Sequence, residues 1–420
     1  SPKPTALYAI SQATAGAVVL GGAILTTTIL TPSNAEAAVF VCGTSAAATN
    51  NADIAIGNDS KAAYHHSIAL GYNSSALSDS SANSRTAIAI GKDSYANVSS
   101  IAIGELANAH AGVAIGTGAF ANYGYAIGGT ANSYGTVAIG NACATAEGAT
   151  AVGQGSRASG EWSIAMGRTT QAKGNNSVSI GSSDGSGASG EVLGDNSLGM
   201  LGGHVRGNNA IGIGFRVWAH GNNSIAIGRG NRIYGFSGGG NTSTAIGSDN
   251  EILGNYSGTF GVGNIIQSNV NQSYAIGNQN YLTTNDTFVL GNYINGNNYP
   301  LVKNSVYLGS YSGDFKYSDN LTANTSQYAQ ARTSDGLPKD FTFQGGHNNT
   351  VGVVAVGNQT ATRRIQGVST GLISAESTDA INGAQLYSIV SGLTGTDYVH
   401  VNSTLAQNKG VAASCATGIE

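Results

Sequence analysis

The sequence predicts an all-β protein, a solenoid of short parallel strands wound coil upon coil, and three observations carry that expectation. A tetrad of apolar, small, apolar, Gly recurs along most of the 420 residues, and self-similarity at a fixed short period marks repeat architectures. Glycine supplies 62 residues and proline only 5, in a chain otherwise rich in Ala, Ser, Asn, Thr, Ile and Val, a mixture suited to short strands and tight turns. Charged residues make up 10% of the chain, against roughly 25% in an ordinary soluble domain, so few side chains are available for site chemistry.

The first element, residues 1–37, reads as an export segment. Ala17 to Leu30 is a mostly apolar run, and Ala35-Glu36-Ala37 after it forms an A-x-A-like cleavage signal. The run is short for the roughly 20 residues of a membrane span, and the mature protein is expected to start near Ala38.

The tetrads follow, over 38–310. Well-formed copies are Ile54-Ala55-Ile56-Gly57, Ile68-Ala69-Leu70-Gly71, Ile88-Ala89-Ile90-Gly91, Ile101-Ala102-Ile103-Gly104, Val113-Ala114-Ile115-Gly116 and Val137-Ala138-Ile139-Gly140. Variants include Ile164-Ala165-Met166-Gly167, Val178-Ser179-Ile180-Gly181, Ile211-Gly212-Ile213-Gly214, Ile225-Ala226-Ile227-Gly228, Tyr274-Ala275-Ile276-Gly277 and Phe288-Val289-Leu290-Gly291. From Gly91 to Gly181 successive glycines lie 13, 12, 12, 12, 13, 14 and 14 residues apart, one structural turn per repeat. Alternation of period two places Ile101 and Ile103 on one face of a strand and Ala102 on the other. The expectation is that the large pair faces the interior and that the alanine row lies outside, where its small side chains let another subunit approach. The glycine ends the strand, Asn, Asp and Ser turn the chain, and a second short strand such as Ser94-Tyr95-Ala96-Asn97 or Ala119-Phe120-Ala121 completes the coil. Eighteen or so coils about 4.8 Å apart would make a rod on the order of 85 Å long.

Residues 311–350 are polar and lack the period, an inserted loop, and 351–362 hold one more tetrad, Val354-Ala355-Val356-Gly357. The chain then runs Arg363-Arg364-Ile365-Gln366-Gly367-Val368 to Ser377-Thr378-Asp379-Ala380-Ile381-Asn382-Gly383-Ala384-Gln385-Leu386-Tyr387. This segment resembles the neck of the trimeric autotransporter adhesins, and the tetrads resemble the repeats of their YadA-like left-handed β-roll heads. The resemblance covers roughly 54–357 for the head and 363–390 for the neck. It implies a homotrimer of rolls packed about a threefold axis, with a neck that narrows onto a coiled coil. Residues 363–393 agree: Ser377 or Thr378 can cap a helix beginning near Asp379, and Leu386, Ile389 and Leu393 fall at the spacing of a coiled-coil seam. Residues 394–420 are expected to open a further segment, with more head or stalk and an outer-membrane anchor beyond Glu420.

Composition weighs against other chemistry. The net charge of −4 and scattered 18 basic residues offer no phosphate-tracking surface, so nucleic acid is not an expected partner. Trimeric acyltransferase solenoids use coils of about eighteen residues, a period that does not fit. No carboxylate pair stands out for glycoside hydrolysis, and no Asp recurs at a fixed offset from the glycines as calcium repeats require. No catalytic residue, metal site or cofactor is predicted. Cys42, Cys143 and Cys415 are given no role, and His65-His66 beside Tyr64 is read as a pair of loop histidines rather than a metal site.

Trp162, Trp218, Tyr123, Tyr125 and Phe236 are candidate adhesive anchors, with packing inside the roll as the competing reading. Asn176-Ser177-Val178-Ser179-Ile180-Gly181 and Asn223-Ser224-Ile225-Ala226-Ile227-Gly228 are similar to repeats with which some members of that family bind collagen. The resemblance thus implies a non-catalytic bacterial cell-surface adhesin binding host matrix proteins such as collagen, host receptors or other bacteria, by avidity over three copies. A structural spacer or self-associating fibre, with the binding domain beyond this chain, is the alternative.

Overall fold

Each tetrad up to residue 291 forms a three- to five-residue strand, and a turn then leads in most coils into a return strand of two or three residues, as in Ile101–Ile103 followed by Asn108–His110. The computed structural model describes residues 40–49, 53–63, 66–77, 86–182, 190–235, 239–298, 301–313, 352–358, 360–374 and 376–393, with the backbone of 18–20 and 23–25. Tyr64, His65, Phe236, Cys415, nearly all of the polar insertion and the segment 394–420 lie outside these residues. Near the N-terminus, Val18–Leu20 pairs antiparallel with Ala23–Leu25.

Every coil stacks in register on its neighbour. Ile101, Ala102 and Ile103 pair with Ile88, Ala89 and Ile90 on one side and with Val113, Ala114 and Ile115 on the other, all parallel. Return strands stack likewise, Asn108 and Ala109 on Phe120 and Ala121. The tetrad ladder runs from Phe40–Cys42 to Val354–Ala355, and the return ladder from Ala47–Ala48 to Tyr281–Leu282. The result is a parallel β-solenoid of about 17 turns. Backbone bonds run from coil to coil, Gly104 N–H donating to Ile90 C=O at 2.7 Å. The tetrad glycine is obligatory for that stacking: Gly91 holds φ +131°, and a Cβ there would stand 2.4 Å from Gly104 O.

The faces are the reverse of the sequence expectation. Ala102 is wholly buried, as are Ala89, Ala114, Ala126 and Ala138, whereas Ile103, Ile127 and Ile139 are exposed on the outer face. The cause is the size of the coil. Twelve or thirteen residues make only two strands and two tight turns, so the facing sheets approach too closely for branched side chains, and Ala102 meets a return strand that also buries Ala107 and Ala109. Where a turn ends in serine, that serine is buried too and closes the turn through its hydroxyl: Ser94 Oγ donates to Gly91 O at 2.9 Å.

From residue 192 the core widens. Val192, Val205, Ile233, Ile252, Ile266 and Leu282 replace alanine on the return strands, and the facing tetrads shrink where needed. A Cβ on Gly199 would lie 2.5 Å from Val192 Cγ2, and one on Gly212 2.7 Å from Val205 Cγ2. Beside this core runs a buried asparagine ladder. The amides of Asn250, Asn264 and Asn280 each donate from Nδ2 to Oδ1 of the preceding asparagine at 2.9 Å, beginning at Asn231. A second ladder lines a turn, where the backbone N–H groups of Asn208, Asn222, Asn241, Asn255 and Asn271 donate to Oδ1 of the next rung at 2.8–2.9 Å.

The last coil is closed by Arg363, whose guanidinium donates to Val356 O at 2.8 Å and Ser310 O at 2.6 Å. The helix, α1, spans Gly383–Leu393, four residues later than expected from Asp379, and its cap is Asn382 rather than Ser377 or Thr378. Asn382 Oδ1 accepts from Gln385 N–H at 3.0 Å, and Gln385 Oε1 accepts from Asn382 N–H at 3.2 Å, a reciprocal capping box. Asp379 is engaged elsewhere, its carboxylate accepting from Leu372 N–H at 3.0 Å.

Candidate functional site

Three surfaces hold the functional candidates. The first is the outer face of the tetrad ladder. In-register pairing lines up Ile90, Ile103, Ile115, Ile127 and Ile139 as one row, with Ile88, Ile101, Val113, Tyr125 and Val137 as another. Toward the C-terminal end, Phe260, Tyr274, Ile276, Phe288 and Leu290 continue the exposed apolar face. A cavity of about 730 Å³ interrupts it, lined by Met166, Arg168, Ile180, Leu201 and Phe215. Monomeric soluble proteins rarely present a continuous apolar patch beyond a few hundred Å². Tyr125 therefore belongs to this face, and not to an isolated anchor.

The second surface, on the outer side of the return ladder, was not anticipated from the sequence. Register sets His204 against Trp218 and Trp218 against Arg232. His204 Nδ1 and His220 Nε2 share a hydrogen bond of 2.8 Å, and His204 Nε2 lies 3.3 Å from Glu191 Oε2, itself paired with Lys173. Trp218 stacks on His220 at 5.3 Å between centroids, meets Tyr234 edge-on and carries the Arg232 guanidinium 5.3 Å above its ring. Both histidines are nearly buried, 9% and 8% exposed. Burial, then the neighbouring His204 and Arg206, lowers the His220 pKa to about 4. Burial also lowers that of His204 against the opposing pull of Glu191. Burial works to raise the Glu191 carboxyl, but Lys173 and His204 hold it below its ordinary value. The arrangement is a closed polar relay. A sequence signal did exist: His204 and Trp218 are one 14-residue repeat apart, and aligning the return strands rather than the tetrads would have paired them.

The third surface is the ridge of turns. Tyr123 and Trp162 both stand there, exposed and at positive φ. Trp218 is thus placed in the relay and Trp162 on the ridge, so the two tryptophans share no site. His66 lies on a turn at φ +64°. In the two motifs similar to collagen-binding repeats, Asn176 and Asn223 turn the chain at φ +53° and +54°, and Ser177 and Ser224 are buried, their hydroxyls donating to Gly174 O and Gly221 O. Those four residues close coils. Cys42 and Cys143 are free thiols, and among the described residues no three His, Cys, Asp or Glu side chains converge as metal ligands.

The family description "YadA head domain repeat" matches residues 48–74, 65–82, 144–168, 158–183 and 206–231, each window enclosing one tetrad or more with the turns that follow. Those windows are similar to YadA head repeats. Among solved structures, the C-terminal YadA-like domain of a Burkholderia pseudomallei protein is 21% identical, covering 40% of this chain and 56% of that one, with a TM-score of 0.17. The chain therefore spans little more than half the length of that domain's chain. No curated protein matches. The matched windows include Trp162, Trp218, His220 and both Asn-Ser turns, while His204, Tyr123 and Tyr125 lie outside them. No described helix is long and apolar enough to cross a membrane.

Proposed function

We propose that this chain is the head and neck of a homotrimeric bacterial surface adhesin, non-catalytic, which attaches to host matrix proteins such as collagen or to host cell receptors through contacts repeated on three copies. The observation that carries the reading is the apolar outer face of the tetrad ladder, from Ile56 to Leu290, left uncovered by the chain's own fold. Three copies turning these faces inward bury the isoleucine rows and leave the turn ridges and return ladders outside for binding. The neck supports the same assembly. Ile365, Leu372, Ile373, Ile381, Leu386, Ile389 and Val390 are all exposed in the single chain, and an eleven-residue helix is too short to persist alone in water. Each weak contact is then multiplied by avidity.

Light scattering on residues 38–420, with and without 363–393, tests the assembly. A mass three times that of the chain, reduced by the deletion, is the expected result, and a folded monomer at all concentrations would sink it. Attachment of the trimer to arrayed matrix proteins and cells then tests adhesion, and a trimer that binds none of them returns the chain to the role of spacer.

A further inference from the structure

Each turn from a return strand into the next tetrad holds one residue in the left-handed region. Along the ridge that residue is Gly or Asn at Gly135, Gly148, Asn176, Asn196, Asn209 and Asn223, types that reach this conformation most easily, and a bulkier residue at Tyr123, Trp162, Thr242 and Tyr256. The tryptophan is the largest of these. Trp162 holds φ +56° with 60% of its surface exposed, so a bulky side chain is kept in a strained backbone without filling the core. Its neighbour is matched to it. A Cβ on Gly148 would lie 2.3 Å from Trp162 Cε3, so the indole lies across the bare glycine backbone and presents the rest of its ring to solvent.

Trp162 N–H donates to Glu147 O at 2.8 Å and Gly148 N–H to Tyr134 O at 2.9 Å. These bonds set Tyr134, Glu147 and Glu161 in one column beside the glycines and the tryptophan. Tyr134 is 71% exposed, and both glutamates are exposed, stacked about one strand step of 4.8 Å apart. Neither has an ion-pair partner among the described residues, and no Lys or Arg occurs at 122–125, 132–136, 145–149 or 159–163. Like charges directly opposed across a ladder are destabilising.

We propose that this ledge binds the ammonium groups of a lysine-rich segment of a partner protein, with Trp162 and Tyr134 as π faces and Glu147 and Glu161 as countercharge. Two exposed aromatic rings and a stacked carboxylate pair stand side by side on this ledge, and one cation satisfies both the π faces and the paired charge. Indole is the best of the aromatic faces for an ammonium group, and the carboxylates lose their mutual repulsion. The column runs along the rod, so an extended segment lies lengthwise on it. The ledge names the partner chemistry of the adhesive reading above and rests on that reading.

The purified chain is titrated by calorimetry with a capped peptide of alternating lysine and glycine, and with its glutamate counterpart. Saturable binding of the lysine peptide alone is expected, weakened at least about tenfold by Trp162→Ala and by the double change Glu147→Gln with Glu161→Gln, and partly kept by Trp162→Phe. Trp162→Asn is expected to melt higher than the parent, because asparagine tolerates this turn, yet to lose the peptide. Absence of saturable binding, or equal binding by Trp162→Ala, overturns the ledge. If the parent still attaches to matrix or cells in that case, only the ledge has failed. If the peptide binds but the trimer attaches to nothing, the ledge stands and the adhesive reading fails.

Discussion

Ala102 and Ile103 are adjacent in the chain, and the first is wholly buried while the second is exposed. The narrow coil leaves no room for branching at the inner position, so Ala102→Leu overpacks the core and is expected to destabilise the head by about 1–3 kcal/mol, measured by thermal or denaturant unfolding. Ile103→Ser is expected to leave the stability of a single chain within about 0.5 kcal/mol, while reducing trimer content in light scattering. The opposite pattern would restore the isoleucines to the interior. His204 and His220 set a residue-scale pH dependence. His220 titrates at about 4 in the fold, below its ordinary 6.5, and His204 is lowered as well. The unfolded chain therefore binds more protons between those values, and stability rises with pH across that window. The relay's contribution is complete above about pH 6.5 and is lost as pH falls toward 4, a change on the order of 2–3 kcal/mol. Urea midpoints at pH 7 and 4.5 check this, and His220→Gln should flatten the difference.

The ladders and caps act at the scale of elements. Asn264 gives Nδ2 to Asn250 Oδ1 and Gly277 O, and its Oδ1 receives Asn280, all beside the core. Asn264→Ala leaves several buried polar groups unpaired at once and is expected to cost about 2–4 kcal/mol, with faster hydrogen exchange in the coils at 250 and 280. Asn222→Ala on the surface ladder is expected to cost under about 1 kcal/mol, because water replaces the missing amide. These ladders also account for the recurring Asn-x-Ser of the sequence. In Asn255-Tyr256-Ser257 the asparagine bonds the preceding rung and the buried serine closes the turn. The pattern needs no ligand to explain it. Beyond the last coil, Gln385 joins α1 to Gly371 through both of its amide atoms, at 3.0 and 2.7 Å, and so fixes where the chain enters the helix.

Across the whole molecule, the period of the tetrads made the solenoid, its in-register stacking and its turn glycines legible in the sequence. Which face lay inside was not legible, because alternation of Ile and Ala defines two faces without ranking them, and the usual preference for burying the larger one fails in a coil only two strands thick. The His204–His220 relay was hidden for a related reason: its members sit on return strands of two residues, too short to show a pattern. The helix start slipped because Ser377 and Asp379 have the residue types of a cap but are held by Leu372 and by each other. The exposed helix α1 yields the last prediction. Eleven residues cannot hold a helix in isolation, so α1 should persist only where partner chains cover Leu386 and Ile389. Hydrogen exchange of the amides from Leu386 to Leu393 should then slow as protein concentration rises through the range in which trimers form. Leu386→Asn should abolish that protection while leaving exchange in coils such as Ile101–Ile103 unchanged. Protection of α1 that is independent of concentration would show the neck to be stable on its own and would remove its part in assembly.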